Sequence, residues 1–156
     1  MKEKLKKLFL ANRLSKVTTK SSVVNFAILL AEVLGGYIGG SRRFIGQFSE
    51  SSDLDVFFTK EEEYDSFINY LMSIGKQCSY TTPIFREEKK IISKKYESLK
   101  TKVVKVHDRD ETHYVKGKYT VDGIYIDVSL VDIILSPEEE AEKYAENLLK
   151  KLEGKK

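Results

Sequence analysis

The chain has a single cysteine, Cys78, so no internal disulfide can form; a reducing compartment, the cytoplasm, is the expectation. Cys78 lies in Lys76-Gln77-Cys78-Ser79-Tyr80 with no histidine near it in sequence, which argues against a catalytic thiol. Histidine is scarce too. His107 and His113 stand alone, too isolated to pair as metal ligands, and read as exposed residues. No apolar run is long enough to span a membrane. The longest, Val23 to Leu34, is broken by Asn25 and Glu32 and falls short of the roughly 20 residues a span needs. Leu8-Phe9-Leu10-Ala11 behind the basic N-terminus is too short for a signal peptide and runs into Asn12-Arg13. There is no internal repeat and no low-complexity linker. These shortages exclude a disulfide scaffold, a membrane span and histidine-based metal or thiol chemistry.

What is present fits one soluble globular domain over 1–156, with 41% apolar and 33% charged residues. The net charge of +3 says little about partners, but its distribution says more. Residues 1–20 carry seven Lys or Arg against one Glu, and residues 86–105 carry eight basic against three acidic residues. Each patch can be a solvated helix face or a surface that meets phosphate, as in RNA or another nucleic acid.

Along the chain, residues 2–14 read as a short amphipathic helix with Leu5, Leu8, Phe9 and Leu14 on one side. With the connector that follows, they form a basic N-terminal segment over 1–20. Ser21 or Ser22 caps a buried helix over Val23 to Leu34, which Gly35-Gly36 ends. Tyr37-Ile38-Gly39 reads as a very short strand. A loop with short helical character, Gly40 to Ser52, leads to the strand Leu54 to Phe58. Glu61 to Ile74 is predicted helical, with an acidic first turn and Gly75 as its stop. A lysine-rich helix is expected over Ile84 to Lys100. Strands are expected over Lys102 to Val106, His113 to Val121 and Ile124 to Leu130, with Asp122-Gly123 as a turn. Ser136-Pro137-Glu138-Glu139 opens the last helix, 136–153. The expected fold class is α+β: a small mixed, partly antiparallel sheet with helices packed on one face.

Chemistry is concentrated in Ser52-Asp53-Leu54-Asp55-Val56-Phe57-Phe58. Side chains two apart on a strand share a face, so Asp53 and Asp55 point together while Leu54 and Val56 enter the core. Paired carboxylates repel unless a cation lies between them, and oxygen-only ligands suit Mg²⁺ or Mn²⁺. The second Asp-x-Asp, Asp108-Arg109-Asp110, lies in a hydrophilic run and reads as an exposed turn. Upstream, Gly39-Gly40-Ser41 is either a plain turn or a place where main-chain N–H groups and the Ser41 hydroxyl meet phosphate. Ser52 joins these candidate nucleotide contacts. Arg42 and Arg43 follow the turn, either solvated or touching a triphosphate. On the last strand Ile124, Ile126, Val128 and Leu130 form one face and Tyr125, Asp127 and Ser129 the other. Asp127 completes a triad if its strand lies beside Asp53–Phe58; otherwise that face is simply wet. Tyr114, Tyr119 and Tyr125 are strand residues that can stack a base or pack.

Gly-Gly-Ser, eleven residues, Asp-Leu-Asp-Val and a late apolar strand bearing Asp together resemble the DNA polymerase beta-like nucleotidyltransferase superfamily. The resemblance covers roughly residues 22–131, the expected catalytic core. It implies an enzyme that moves a nucleoside monophosphate from an NTP to an acceptor hydroxyl. It implies two Mg²⁺ or Mn²⁺ ions held by Asp53, Asp55 and Asp127, with Asp127 near the acceptor and the Gly39-Gly40-Ser41 turn near the phosphates; Arg42 and Ser52 are candidate nucleotide contacts by position beside it. Only about 25 residues follow the last strand, less than the second, helical domain many members carry. The acceptor site is then made by the N-terminal helices or by a separate helical partner protein. The alternative is a catalytically silent nucleotide- or nucleic-acid-binding module of the same fold.

Overall fold

The computed structural model of the chain describes residues 1–81, 104–105, 112–131 and 134–154. The helix expected over 84–100 and the acidic turn at 108–110 lie outside them, as do His107 and most of the basic stretch 86–105.

The first helix, α1, covers Lys2–Ala11 and buries Phe9. It stops short of its expected end because Leu14 donates its amide to the Arg43 carbonyl at 2.6 Å and Arg13 bridges to Phe44. Helix α2 (Ser22–Val33) is capped by Ser21, whose hydroxyl accepts from the Val24 amide at 3.0 Å. Val24, Ala27, Ile28 and Ala31 recur at helical spacing and are buried. The same Ser21 hydroxyl donates to Asp122 at 2.7 Å, tying the cap to the distant hairpin turn. Helix α3 (Glu61–Ile74) sets three glutamates against its N-terminal dipole and buries Tyr64, Phe67, Ile68 and Leu71. Helix α4 (Pro137–Glu153) starts in the expected capping box of Ser136 and Glu139.

Among the described residues there are six strands: β1 (Tyr37–Gly39), β2 (Leu54–Phe58), β3 (Lys76–Thr81), β4 (Val104–Lys105), β5 (Thr112–Val121) and β6 (Ile124–Val131). Five run in the order β1-β2-β6-β5-β3, with β4 paired to β5. β2 and β6 are parallel and every other pairing is antiparallel, so the sheet is mixed. The β5–β6 hairpin turns through Asp122 and Gly123, at φ 51° and 76°. Two successive positive φ values are the mark of a type I′ turn, whose twist suits a hairpin.

Strand β3 was not legible beforehand. Lys-Gln-Cys-Ser-Tyr-Thr has only Cys78 and Tyr80 as an apolar alternation, too short to signal a strand, and its strand conformation is supported by the ladder to β5. The main core lies on one face of the sheet. There α2 and α3 cover Ile38, Leu54, Val56, Phe58, Ile126, Val128 and Leu130. A smaller core of Phe9, Phe44, Ala141 and Ala145 joins α1 to α4. The α+β class, with helices on one side of a small mixed sheet, is the one expected from the sequence. No helix among the described residues is long and apolar enough to cross a membrane.

Candidate active site

The sheet's register brings the distant acidic residues together. In the parallel pairing of β2 with β6, Asp55 stands directly opposite Asp127. Gly39 on β1 is opposite Asp55, and Lys118 on β5 is opposite Asp127. Gly39, Asp55, Asp127 and Lys118 therefore form one row across four strands, and directly opposed residues share a face. Asp53 immediately precedes β2 and joins this row through Lys118, whose ammonium lies 3.2 Å from Asp53 Oδ2 and 4.0 Å from Asp127 Oδ1. Lys116, one step along β5 on the same face, reaches Asp127 Oδ2 at 3.7 Å.

The alternative of a wet face does not hold at the centre of β6. Asp127 is only 6% exposed and Ser129 2%, whereas Tyr125 is 46% exposed. Burial makes ionisation costly here. Desolvation, then the charge of Asp127, pushes Asp55 up to about 7 against an opposing pull from Lys116. Asp127 is also raised by burial, with Lys116 and Lys118 holding it down. The Asp127 Oδ1 atom is buried and has no hydrogen-bond partner, an expensive state for a carboxylate oxygen. An oxygen-only donor set with one orphaned atom fits a hard divalent cation. The fit is one of chemistry and not of a finished cage: among the described residues, no three His, Cys, Asp or Glu side chains are already gathered as a metal site.

The Gly39-Gly40-Ser41 turn runs between two carboxylates. A Cβ on Gly40 would land on Asp55 Oδ2, and its φ of 76° also calls for glycine. A Cβ on Gly39 would fall 2.7 Å from Oε2 of Glu140, at the start of α4. Glu140, which sequence reasoning passed over, is 5% exposed. It accepts from the Gly40 amide at 2.9 Å and from the Tyr37 hydroxyl at 2.8 Å. Desolvation raises it, and those two donors hold it down. The Gly40 amide is thus already engaged by a carboxylate. Ser41 opens a single 3-10 turn, Ser41–Arg43, and is half-buried.

The arginines are neither solvated nor loose. Arg42 is 1% exposed and donates to the carbonyls of Ser52 at 3.0 Å and Glu50 at 2.8 Å. It organises the loop into Asp53, with only Nη1 left lacking a partner. Arg43 is buried on the carbonyls of Ile38, Leu14 and Ser15. The Ser52 hydroxyl closes the same loop by accepting from the Ser49 amide at 2.9 Å.

Lys116, Lys118 and Glu140 were the residues missed. The two lysines alternate on β5 at the spacing that puts both on the Asp127 face. Glu140 falls on the stripe of α4 that also carries the buried Ala141 and Ala145. Of the tyrosines, Tyr119 is fully buried and packs, and Tyr125 lies open with the Lys118 ammonium 5.5 Å from its ring centroid. The side chains of Tyr114 and His113 lie outside the described set. The N-terminal basic patch is partly neutralised, because Lys2 and Lys6 approach Glu142 and Glu146 at 3.7–3.9 Å.

Compared with protein-family models, curated proteins and solved structures, the chain matches none.

Proposed function

We propose that the chain is a metal-dependent nucleotidyltransferase that moves a nucleoside monophosphate from an NTP to an acceptor hydroxyl. The observation that carries this reading is the register of Asp55 against Asp127, with Asp53 linked to the same spot and a glycine turn pressed onto Asp55. Asp53, Asp55 and Asp127 would hold Mg²⁺ or Mn²⁺, which when bound neutralises the triphosphate and the charge developing on the attacking and leaving oxygens. Ser41 would offer its hydroxyl to the nucleotide's anionic oxygens, while Lys116 and Lys118 are paired with Asp127 and Asp53 in the empty site. The acceptor hydroxyl belongs to an RNA end, a protein side chain, a nucleotide or a small molecule; the basic stretches 1–20 and 86–105 favour an anionic one such as nucleic acid, bound by the N-terminal helices or with a helical partner protein. A single cysteine, with no internal disulfide to keep oxidised, fits the reducing cytoplasm.

A catalytically silent module of the same fold draws on a different observation, the ion pairing of Lys118 with Asp53 and Asp127. One assay separates the two. The purified protein is incubated with each labelled NTP and Mg²⁺ or Mn²⁺, beside Asp55→Asn. Transfer of label by the wild type alone supports the enzyme. Nucleotide binding with no transfer under any condition hands the chain to the silent reading.

A further inference from the structure

Lys118 stands where the carboxylates most need a cation. Its ammonium is 3.2 Å from Asp53 Oδ2 and 4.0 Å from Asp127 Oδ1. A divalent ion of the Mg²⁺ type must come within about 2.0–2.1 Å of the oxygens that ligate it. Ammonium and metal therefore compete for the same charge and the same space. Asp127 Oδ1 is buried and unpartnered, and at 4.0 Å the ammonium attracts it without hydrogen-bonding it. That oxygen still lacks a ligand even with Lys118 in place.

We propose that Lys118 is a tethered counter-ion that holds the carboxylate cluster together until a divalent cation displaces it. The freed ammonium then takes an anionic oxygen of the incoming nucleotide. This inference rests on the metal-dependent reading of the same site. The lysine is suited to the exchange. Its side chain is 39% exposed on a flexible stem, and the open ring of Tyr125 lies 5.5 Å away as a second resting place. Lys116 remains at 3.7 Å from the other Asp127 oxygen, so the cluster keeps one fixed positive charge throughout.

The test is a Mn²⁺ titration by calorimetry, without nucleotide, of the wild type, Lys118→Met, Lys118→Arg and Asp127→Asn. Lys118→Met keeps the stem and removes the competitor, so it should bind Mn²⁺ on the order of tenfold more tightly, the equivalent of about 1.4 kcal/mol. Lys118→Arg should stay near the wild type, and Asp127→Asn should lose the binding. With Mn²⁺ saturating, a non-hydrolysable NTP should bind Lys118→Met several-fold more weakly than the wild type. If Lys118→Met does not fold, Lys118→Gln takes its place. Wild-type binding lost in Asp127→Asn, but no tighter in Lys118→Met, overturns the counter-ion and leaves the metal site standing. No Mn²⁺ binding by any variant, or binding that Asp127→Asn leaves intact, overturns both.

Discussion

Asp55 carries most of the site's electrostatic strain. In the unfolded chain its carboxyl titrates at its ordinary 3.8, and in the metal-free fold it is held up to about 7 by burial and by Asp127. Below about pH 4 the group is protonated in both states and costs nothing. As pH rises towards 7 the unfolded chain gives up the proton that the fold still prefers, so stability falls over that window and stays low above it. The penalty at pH 8 is on the order of 4 kcal/mol at most, reduced by whatever solvent reaches the site. Asp55→Asn removes the charge at constant size. In chelator it should raise the melting temperature at pH 8 by roughly 5 °C and change it far less at pH 4.5. Melting curves at the two pH values decide the matter; a variant that melts lower at pH 8 would sink the clustered-carboxylate account. The residues behind this strain are legible in the sequence. Strand periodicity sets Asp53 and Asp55 on one expected face, although β2 begins only at Leu54, and Asp127 is conspicuous as a carboxylate in an apolar strand.

The elements were legible where their own residues specify them. Helix α3 and strands β1 and β2 fall where period, caps and glycine stops put them, and the Asp122-Gly123 turn adopts the conformation its residues favour. Strand β3 was not legible because its ordering comes from pairing with β5 and not from its own pattern. The attachment of α4 was also hidden. Its capping box predicts where it begins but not what it touches. Glu140 ties its first turns to Tyr37 and to the Gly40 amide, both at the β1 edge. Glu140→Ala would leave a buried amide and a hydroxyl without their acceptor, a loss on the order of 2 kcal/mol. Glu142→Gln, on the exposed rim beside Lys2 and Lys6, should cost about 1 kcal/mol or less. Urea denaturation should show a lower midpoint at unchanged slope for Glu140→Ala only. Equal midpoints for the two variants would mean that α4 is held by the Phe9–Phe44–Ala141–Ala145 cluster alone.

For the molecule as a whole, the proposed metal site and the stability of the empty fold pull against each other. A fold that sets Asp55 opposite Asp127 and then leaves Asp127 Oδ1 without a hydrogen-bond partner is less stable empty than it could be. A ligand that binds only the native state restores stability by mass action. At one hundred times its dissociation constant the gain is about 2.7 kcal/mol. Mg²⁺ or Mn²⁺ should therefore raise the wild-type melting temperature by roughly 5–10 °C and leave Asp127→Asn almost unmoved. Thermal melts across a metal titration check this, and an equal rise in both proteins would place the binding elsewhere.

The sequence alone determined what depends on near neighbours: the helix caps, the strand faces and the Asp122-Gly123 turn, and from their pattern the α+β class. Tertiary structure alone decided what depends on register between distant segments. Asp127 meets Asp55 because β6 lies parallel to β2 without a one-residue slip, which would have turned its carboxylate into the core. Lys118 faces Asp127 through the β5–β6 ladder, and Glu140 reaches Gly40 from 100 residues away. Arg42 and Arg43, next to the turn in sequence, are drawn inward by the carbonyls of Ser52 in the loop and Ile38 on β1. Local periodicity sets the direction of a side chain along its own element. Which charge lies opposite is set by packing and by ladder hydrogen bonds, and those are summed over the whole chain.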